Sequence, residues 1–96
     1  MFIISLTYIC DLKEIDKLLP KHVEYLEAQY KEGNFIASGR KIPRTGGIIL
    51  SKLTNLENLK KILEKDPFKI NNLTEYEIQE FIPSMTSRQF ENLKEK

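Results

Sequence analysis

The chain has 96 residues and a mass of 11.3 kDa, which is the size of one small domain. Its 15 lysines and arginines nearly balance its 14 aspartates and glutamates, so it lacks the basic excess that is typical of dedicated nucleic-acid binders. The single cysteine excludes an intrachain disulfide and a cysteine-based zinc cluster. We therefore expect a folded soluble domain that has no nucleic-acid partner.

The opening residues 2–9, FIISLTYI, predict a first strand because they are rich in β-branched and aromatic side chains. They lack the basic start and small-residue cleavage site of a signal peptide, and no segment approaches the roughly 20 apolar residues that span a bilayer. We expect no membrane partner. The single free cysteine suits a reducing compartment, so we expect a cytoplasmic protein.

A first amphipathic helix is predicted next. Its buried stripe is predicted from four apolar residues at spacings of four, three and four, namely Leu19, Val23, Leu26 and Tyr30. Pro20 is compatible with a first helical turn, and Gly33 suits the position just after the helix ends.

Two strands joined by a tight turn follow the helix. They cover residues 35–42 and 48–53, and the PRTGG segment between them has the proline and paired glycines that are typical of turns. A second helix is expected to begin after Thr54 or Asn55. Its buried stripe is predicted to be Leu56, Leu59, Ile62 and Leu63. Pro67 ends this helix, because proline disfavours helical geometry at the preceding residue.

Residues 74–82 predict a fourth strand with Tyr76, Ile78 and Ile82 on one face, and a short helix is expected over residues 86–94. The resulting order, βαββαβ, is the ferredoxin-like α+β pattern of an antiparallel sheet with helices on one side. We therefore expect residues 1–96 to form a single domain with a short C-terminal helix from about residue 86.

The sheet face away from the helices is predicted to be mixed in character. It is expected to carry Ile3, Ser5, Thr7 and Ile9 from the first strand, Ile36, Ser38, Arg40 and Ile42 from the second, Ile49, Ser51 and Leu53 from the third, and Glu75, Glu77, Gln79 and Phe81 from the fourth. Such a face is too apolar for a solvated surface and too polar for a dry core. Packing against a second copy would cover it and enclose a partly polar cavity, so we expect a homodimer that forms an α+β barrel.

His22 is the only histidine of the chain and a candidate general acid or base, since imidazole titrates near neutral pH. It flanks the apolar stripe of the first helix, next to Leu18, Tyr25 and Gln29. Such a residue needs an orienting partner, usually a carboxylate, and Asp66 at the end of the second helix is a candidate. The alternative interpretation is a surface histidine and an aspartate that caps the following segment.

Arg40 and Arg44 are a candidate anion site. The chain has 12 lysines but only 3 arginines, and these two flank one turn in the glycine-rich segment 39–47. A guanidinium binds a carboxylate or phosphate in a bidentate way that lysine cannot reproduce. With Ser38 and Gly39 beside them, they indicate a site for a small anionic molecule. The alternative is two solvated charges at a hairpin tip.

The remaining candidates are weaker. Ser38 offers a hydroxyl but lacks the sequence pattern of a nucleophile elbow, and Cys10 is interpreted as a packed small hydrophobe. One histidine without a metal-binding spacing predicts no metal site, and no cofactor is expected.

Several segments, taken in order, resemble the YciI-like (YCII-related) family over essentially the whole chain. They are the opening strand and the helix that carries His22, the segment Phe35–Gly39, the turn Pro43–Gly47 leading into Ile48–Leu50, and Asp66-Pro67-Phe68.

The resemblance implies a dimeric α+β barrel of ferredoxin-like subunits and an active site in which His22 and Asp66 form a dyad. A few family members resemble dehydrochlorinases and lactone isomerases of aromatic breakdown. The chain departs from the family at Arg40, where many relatives have proline after the Ser-Gly pair. This departure favours a more anionic ligand.

Two functional hypotheses follow. In the first, the protein is a small cofactor-free enzyme in which His22 and Asp66 perform an isomerisation, elimination or hydrolysis on a small anionic substrate held by Ser38, Gly39, Arg40 and Arg44. In the second, the same cavity belongs to a non-catalytic ligand-binding or dimeric interaction module, since this fold serves both purposes. A haem-handling dimer ranks last, because His22 is the sole imidazole and the chain has no tryptophan.

Overall fold

One antiparallel sheet of four strands organises the chain. The structure is a computed structural model that describes residues 1–95. Its elements are β1 (Phe2–Tyr8), α1 (Leu12–Lys31), β2 (Phe35–Arg40), β3 (Gly46–Ser51), α2 (Leu56–Leu63), α3 (Pro67–Ile70), β4 (Thr74–Glu80) and a 3₁₀ helix (Arg88–Leu93). The strands lie in the order β2-β3-β1-β4 and each neighbouring pair is antiparallel. The predicted ferredoxin-like α+β fold is therefore confirmed, with α3 as an element that the sequence pattern did not predict.

The main core lies between the sheet and α2. Alternate residues of β1, Phe2, Ile4 and Leu6, are at most 2% exposed, as expected for the covered face of a strand with a period of two. They cluster with Leu59 and Leu63 of α2. Full burial of each such side chain is worth roughly 1.5–3 kcal/mol, so this contact fixes α2 against the sheet.

The start of α1 differs from the prediction. The helix begins at Leu12, so Pro20 lies in its interior and not in its first turn. Proline has no backbone N–H, and the carbonyl of Asp16 therefore receives no helical hydrogen bond from that position. The two turns before Pro20 are stabilised instead by Ile15, which is fully buried in a second apolar cluster with Phe68. The predicted end is confirmed, since Gly33 follows the helix with a φ of +79°.

The buried row of α1 was also wrongly predicted. The buried residues are Ile15, His22 and Gln29, whereas Leu19, Val23 and Tyr30 of the expected stripe are exposed. Only Leu26 of that stripe packs against the core. The physical reason is α3, whose Phe68 lies against the row containing Ile15 and His22 and so turns that row inward.

In β2 and β3 the predicted faces are shifted by one residue. Ile4 of the buried face pairs with Ile49, and Phe2 pairs with Ser51, so Ile49 and Ser51 face the helices. In β2, a register irregularity between Phe35 and Ala37 reverses the alternation, which brings the two predicted open-face residues Ser38 and Arg40 to the helix side. Leu53 and Ile42 lie beyond the strand ends, and Ile36 occupies the irregularity.

The open face follows the prediction in the two other strands. Ile3, Ser5 and Thr7 pair with Gln79, Glu77 and Glu75, and all six lie on the face opposite the core. Ile48 and Leu50 of β3, which pair with Ser5 and Ile3, lie there as well. Ile9 and Phe81 lie beyond the strand ends. This face therefore has an apolar centre and an acidic side, and no element of residues 1–95 covers it.

Polar contacts cap the start of α2 and join residues 1 and 95. The side chain of Asn55, not that of Thr54, accepts a hydrogen bond from the Asn58 backbone N–H at 3.0 Å and caps α2. The C-terminal helix predicted over residues 86–94 is a 3₁₀ helix. Beyond it, Glu95 forms an ion pair with the Met1 amino group at 3.1 Å.

Gly46 marks the closest approach of two strands. A Cβ atom at this position would lie 1.7 Å from the backbone oxygen of Leu6 in β1, so no side chain fits without separating β1 from β3. By contrast, a Cβ atom at Gly39 would meet no atom within 4 Å.

We predict that Gly46→Ala lowers the free energy of unfolding by about 3 kcal/mol, because the added methyl group cannot be accommodated in the packed sheet. Gly39→Ala is the matched control and should change it by less than about 1 kcal/mol. Urea unfolding of the two variants at one protein concentration provides the measurement. Equal stabilities would contradict the close contact between β1 and β3.

Candidate active site

Asp66 joins α2 to α3 and takes part in two contacts at once. Its backbone is extended, and its Oδ1 accepts a hydrogen bond from the Phe68 backbone N–H at 3.0 Å, which caps α3. The same oxygen lies 2.8 Å from Nδ1 of His22 on α1. Asp66 therefore caps the following segment, as the alternative interpretation expected, but His22 is buried and not on the surface, and it contacts Asp66.

The hydrogen bonds of Asp66 define the tautomer of His22. The Asp66 side chain is fully buried, and its second oxygen, Oδ2, accepts a hydrogen bond from the Tyr76 hydroxyl. An ionised carboxylate can only accept hydrogen bonds. Nδ1 of His22 therefore carries the proton in its contact with Asp66. The other ring nitrogen, Nε2, has no hydrogen-bond partner among residues 1–95 and is free to accept or donate a proton.

The Phe68 ring holds the imidazole in place. The Phe68 ring stacks on His22 with centroids 4.0 Å apart and an interplanar angle of 11°. Tyr25, one turn along α1, lies at 6.3 Å and 28°. With 9% of its surface exposed, His22 can rotate little without losing the stack on Phe68.

Two half-buried phenols lie near the carboxylate. Burial, first, and the negative charge of Asp66, second, raise the pKa of both Tyr25 and Tyr76 well above the usual value, so both hydroxyls remain protonated donors at neutral pH. Tyr25 donates to the backbone oxygen of Ile62 at 2.8 Å, and Tyr76 donates to Asp66.

A cavity of about 170 Å³ adjoins His22 between α1 and the sheet. It is lined by Leu6, Tyr8, Leu19, His22, Leu26, Ser38, Gly39, Arg40, Gly47, Ile48 and Ile49. Within residues 1–95 the guanidinium of Arg40 has no ion pair and no hydrogen bond, so its donors are available to a ligand. The cavity therefore combines one imidazole, one unpaired cation and an apolar wall.

Of the other predicted site residues, Ser38 and Gly39 line the cavity and Arg44 does not. Ser38 Oγ forms a hydrogen bond with the Tyr30 hydroxyl at the cavity side of α1. Arg44 donates to Asp16 Oδ1 at 2.6 Å, and this hydrogen bond raises the pKa of the guanidinium. Arg44 thus ties the turn between β2 and β3 to α1.

We searched residues 1–95 for a metal site, a reactive thiol and a membrane-spanning helix. Residues 1–95 contain no group of three or more histidine, cysteine, aspartate or glutamate side chains that could hold a metal ion. Burial and the charges of Glu14 and Asp11 raise the pKa of the Cys10 thiol, which disfavours the nucleophilic thiolate. None of the helices in this range has the length and apolar character that crossing a bilayer requires.

Sequence reasoning missed Tyr76, Tyr30 and the stacking role of Phe68. Tyr76 was placed on the covered face of the fourth strand together with Ile78, which is correct. One signal could have identified Tyr76, because a tyrosine on the covered face of a strand requires a partner for its hydroxyl. The pattern alone did not indicate that this partner is Asp66.

The model of the YCII-related domain family matches residues 1–82. Among solved structures, the chain is similar to 5-chloro-2-hydroxyhydroquinone dehydrochlorinase from Burkholderia phenoliruptrix in complex with 2,5-dihydroxybenzoquinone. The TM-score is 0.74 at 16% sequence identity, with 85% of this chain and 93% of that chain covered. This likeness shows a shared fold. A comparison with curated protein sequences finds no match.

We predict that neutral His22 is present as the Nδ1–H tautomer, because Nδ1 donates to the Asp66 carboxylate. The single histidine makes the test unambiguous: two-dimensional ¹H–¹⁵N spectra should show a protonated Nδ1 and an unprotonated Nε2. Asp66→Asn should mix the tautomers, whereas Asp16→Asn, which removes a carboxylate that pairs with Arg44 and not with His22, should not. A dominant Nε2–H tautomer in the unchanged protein would contradict the geometry.

Proposed function

The chain belongs to the YCII-related domain family, and we propose that it is a small enzyme in which His22 and Asp66 perform acid/base chemistry on a small anionic substrate. The observation that carries this proposal is the contact of a fully buried carboxylate with Nδ1 of a histidine that lines a cavity. A buried carboxylate fixes the orientation and tautomer of the imidazole, which is the arrangement that general acid/base catalysis uses.

The proposed chemistry is a proton transfer at Nε2 of His22. The reaction classes that fit are an isomerisation or elimination next to a carbonyl group, or a hydrolysis in which Nε2 activates water. Proton transfer of this kind contributes roughly 10²–10⁴-fold to the rate, so substrate positioning in the cavity supplies the rest. None of these steps requires a cofactor, and they are compatible with the cytoplasmic setting that a single free cysteine suits.

Arg40 is proposed to bind the anionic group of the substrate, with the Ser38 hydroxyl and the backbone of Gly39 beside it. The support is its place in the cavity lining and the lack of any competing carboxylate within residues 1–95. Arg44, the second predicted anion-binding residue, is paired with Asp16, so we propose that it contributes less than Arg40 to binding the anion. The dehydrochlorinase of the same fold binds a small dihydroxybenzoquinone, which makes ring-sized anions suitable first probes.

We predict that His22→Gln abolishes turnover while the protein stays folded, because glutamine retains hydrogen-bonding atoms but cannot exchange a proton. Turnover is measured first in the unchanged protein with a panel of hydroxylated quinones, chlorinated hydroquinones and small keto acids. Lys21→Gln, an exposed neighbour on α1, is the control and should keep full activity. Full activity of His22→Gln would contradict the acid/base role, and tight binding of a panel member without turnover would favour the ligand-binding hypothesis.

We predict that Arg40→Gln weakens binding of an anionic ligand at least tenfold, because a charge-assisted bidentate contact is lost. Arg44→Gln removes the same charge at the other side of the turn and should weaken binding by less than threefold. Calorimetric titration of both variants with one panel anion provides the measurement. A larger loss in Arg44→Gln would assign the anion to Arg44.

The dimeric α+β barrel is part of the same proposal. On the open sheet face Ile3, Ile48 and Leu50 are only half-buried within one chain, and an apolar surface of this kind favours a partner. The cavity of about 170 Å³ in one chain is also smaller than the roughly 300–1,000 Å³ of typical ligand pockets. A second copy would both cover the face and enlarge the enclosed space.

We predict that light scattering gives a mass near twice 11.3 kDa for the unchanged protein. Leu50→Glu places a charge in the centre of the open face and should shift the protein to the monomer. Ile70→Glu alters an exposed apolar residue of α3, which is 64% exposed, and should leave the dimer intact. A dimer that survives Leu50→Glu would show that this face is not the interface.

A further inference from the structure

We infer that Tyr76 is a positioning residue for the His22–Asp66 pair, in that its hydroxyl anchors the second oxygen of the carboxylate and so keeps the first oxygen directed at Nδ1 of His22. The inference rests on the proposed function and adds a third side chain to it. It assigns Tyr76 no contact with substrate.

The need for a second anchor follows from the geometry of the carboxylate. Oδ1 of Asp66 accepts from His22 Nδ1 at 2.8 Å and from the Phe68 backbone N–H at 3.0 Å. The terminal torsion of aspartate is broad, so a carboxylate anchored at one oxygen can rotate about its last bond. The Tyr76 hydroxyl donates to Oδ2 and prevents this rotation. All three donors are required for a fully buried charge to be satisfied.

Tyr76 contacts the carboxylate from outside the cavity that His22 lines. It is absent from the lining of the cavity that contains His22 and Arg40. Its ring lines a separate cleft of about 240 Å³, where Lys69 Nζ lies 5.4 Å from the ring centroid. A residue in this place acts on a substrate only through Asp66, which is why its role is positioning.

Tyr25 provides a matched comparison within the same shell. It is a half-buried phenol near the same carboxylate, and the charge of Asp66 contributes to its raised pKa. Its hydroxyl, however, donates to the backbone oxygen of Ile62 and not to Asp66. Tyr25→Phe and Tyr76→Phe therefore remove the same atom from similar surroundings. Only Tyr76→Phe removes a hydrogen bond from the Asp66 carboxylate.

The experiment measures the tautomer of His22 by ¹H–¹⁵N spectroscopy in both variants, together with kcat and KM on the substrate found for the unchanged protein. In Tyr76→Phe we expect a measurable Nε2–H population and a kcat lowered tenfold to a hundredfold with little change in KM, since a displacement of about 1 Å can cost roughly 10²-fold. In Tyr25→Phe we expect the tautomer and kcat of the unchanged protein. The spectroscopic readout needs no substrate.

An unchanged His22 tautomer in folded Tyr76→Phe, or an equal change in both variants, would overturn the inference. If Tyr76→Phe does not fold, 3,5-difluorotyrosine at position 76 keeps the ring and makes the hydroxyl a stronger donor. The hydrogen-bonded Nδ1 proton of His22 should then move upfield, and an unmoved signal overturns the inference. Failure of the proposed function is a separate result, because it would appear as full turnover in His22→Gln whatever the tautomer in Tyr76→Phe.

Discussion

The buried charge of Asp66 is the constraint on which the rest of the site depends. A carboxylate removed from water is costly unless donors replace its hydration, and here the donors come from three elements: His22 of α1, the backbone of α3 and Tyr76 of β4. Each element must therefore occupy its observed place for the charge to be tolerated. The pair that we propose as the reacting group is also a polar junction that joins α1, α3 and β4.

This junction explains why α1 buries a polar row and leaves an apolar one exposed. Turning His22 and Gln29 inward leaves Leu19 and Val23 at 36% and 42% exposure, which a helix selected only for burial would avoid. The stack of Phe68 on His22 offsets part of the lost burial of Leu19 and Val23, because it covers the imidazole with apolar surface. Departures from local preference of this kind are expected at functional or strained sites, which supports the site that we propose at this contact.

The sequence predicted the elements better than their faces. Element order, the glycine after α1 and the helix stop before Pro67 follow from local chemistry, and each agrees with the structure. The side of the sheet on which Ser38 and Arg40 lie depends on the irregularity at Ile36, which is a property of the pairing between β2 and β3. No local pattern encodes such a pairing, because a shift of one residue exchanges the two faces. The contact between His22 and Asp66, 44 positions apart, likewise required α3 to be in place.

The same irregularity separates the proposed anion-binding residues from the proposed acid/base pair. By bringing Ser38 and Arg40 to the helix side, it places the proposed anion-binding group on β2, an edge strand with exposed side chains, while Asp66 stays in the interior. Substitutions in β2 can alter the charge and shape of the cavity without touching the three donors of the carboxylate. The buried pair, by contrast, tolerates little change, since loss of one donor leaves a charge unsatisfied. Under the proposed function, substitutions in this edge strand would change the preferred anion and leave the His22–Asp66 pair intact.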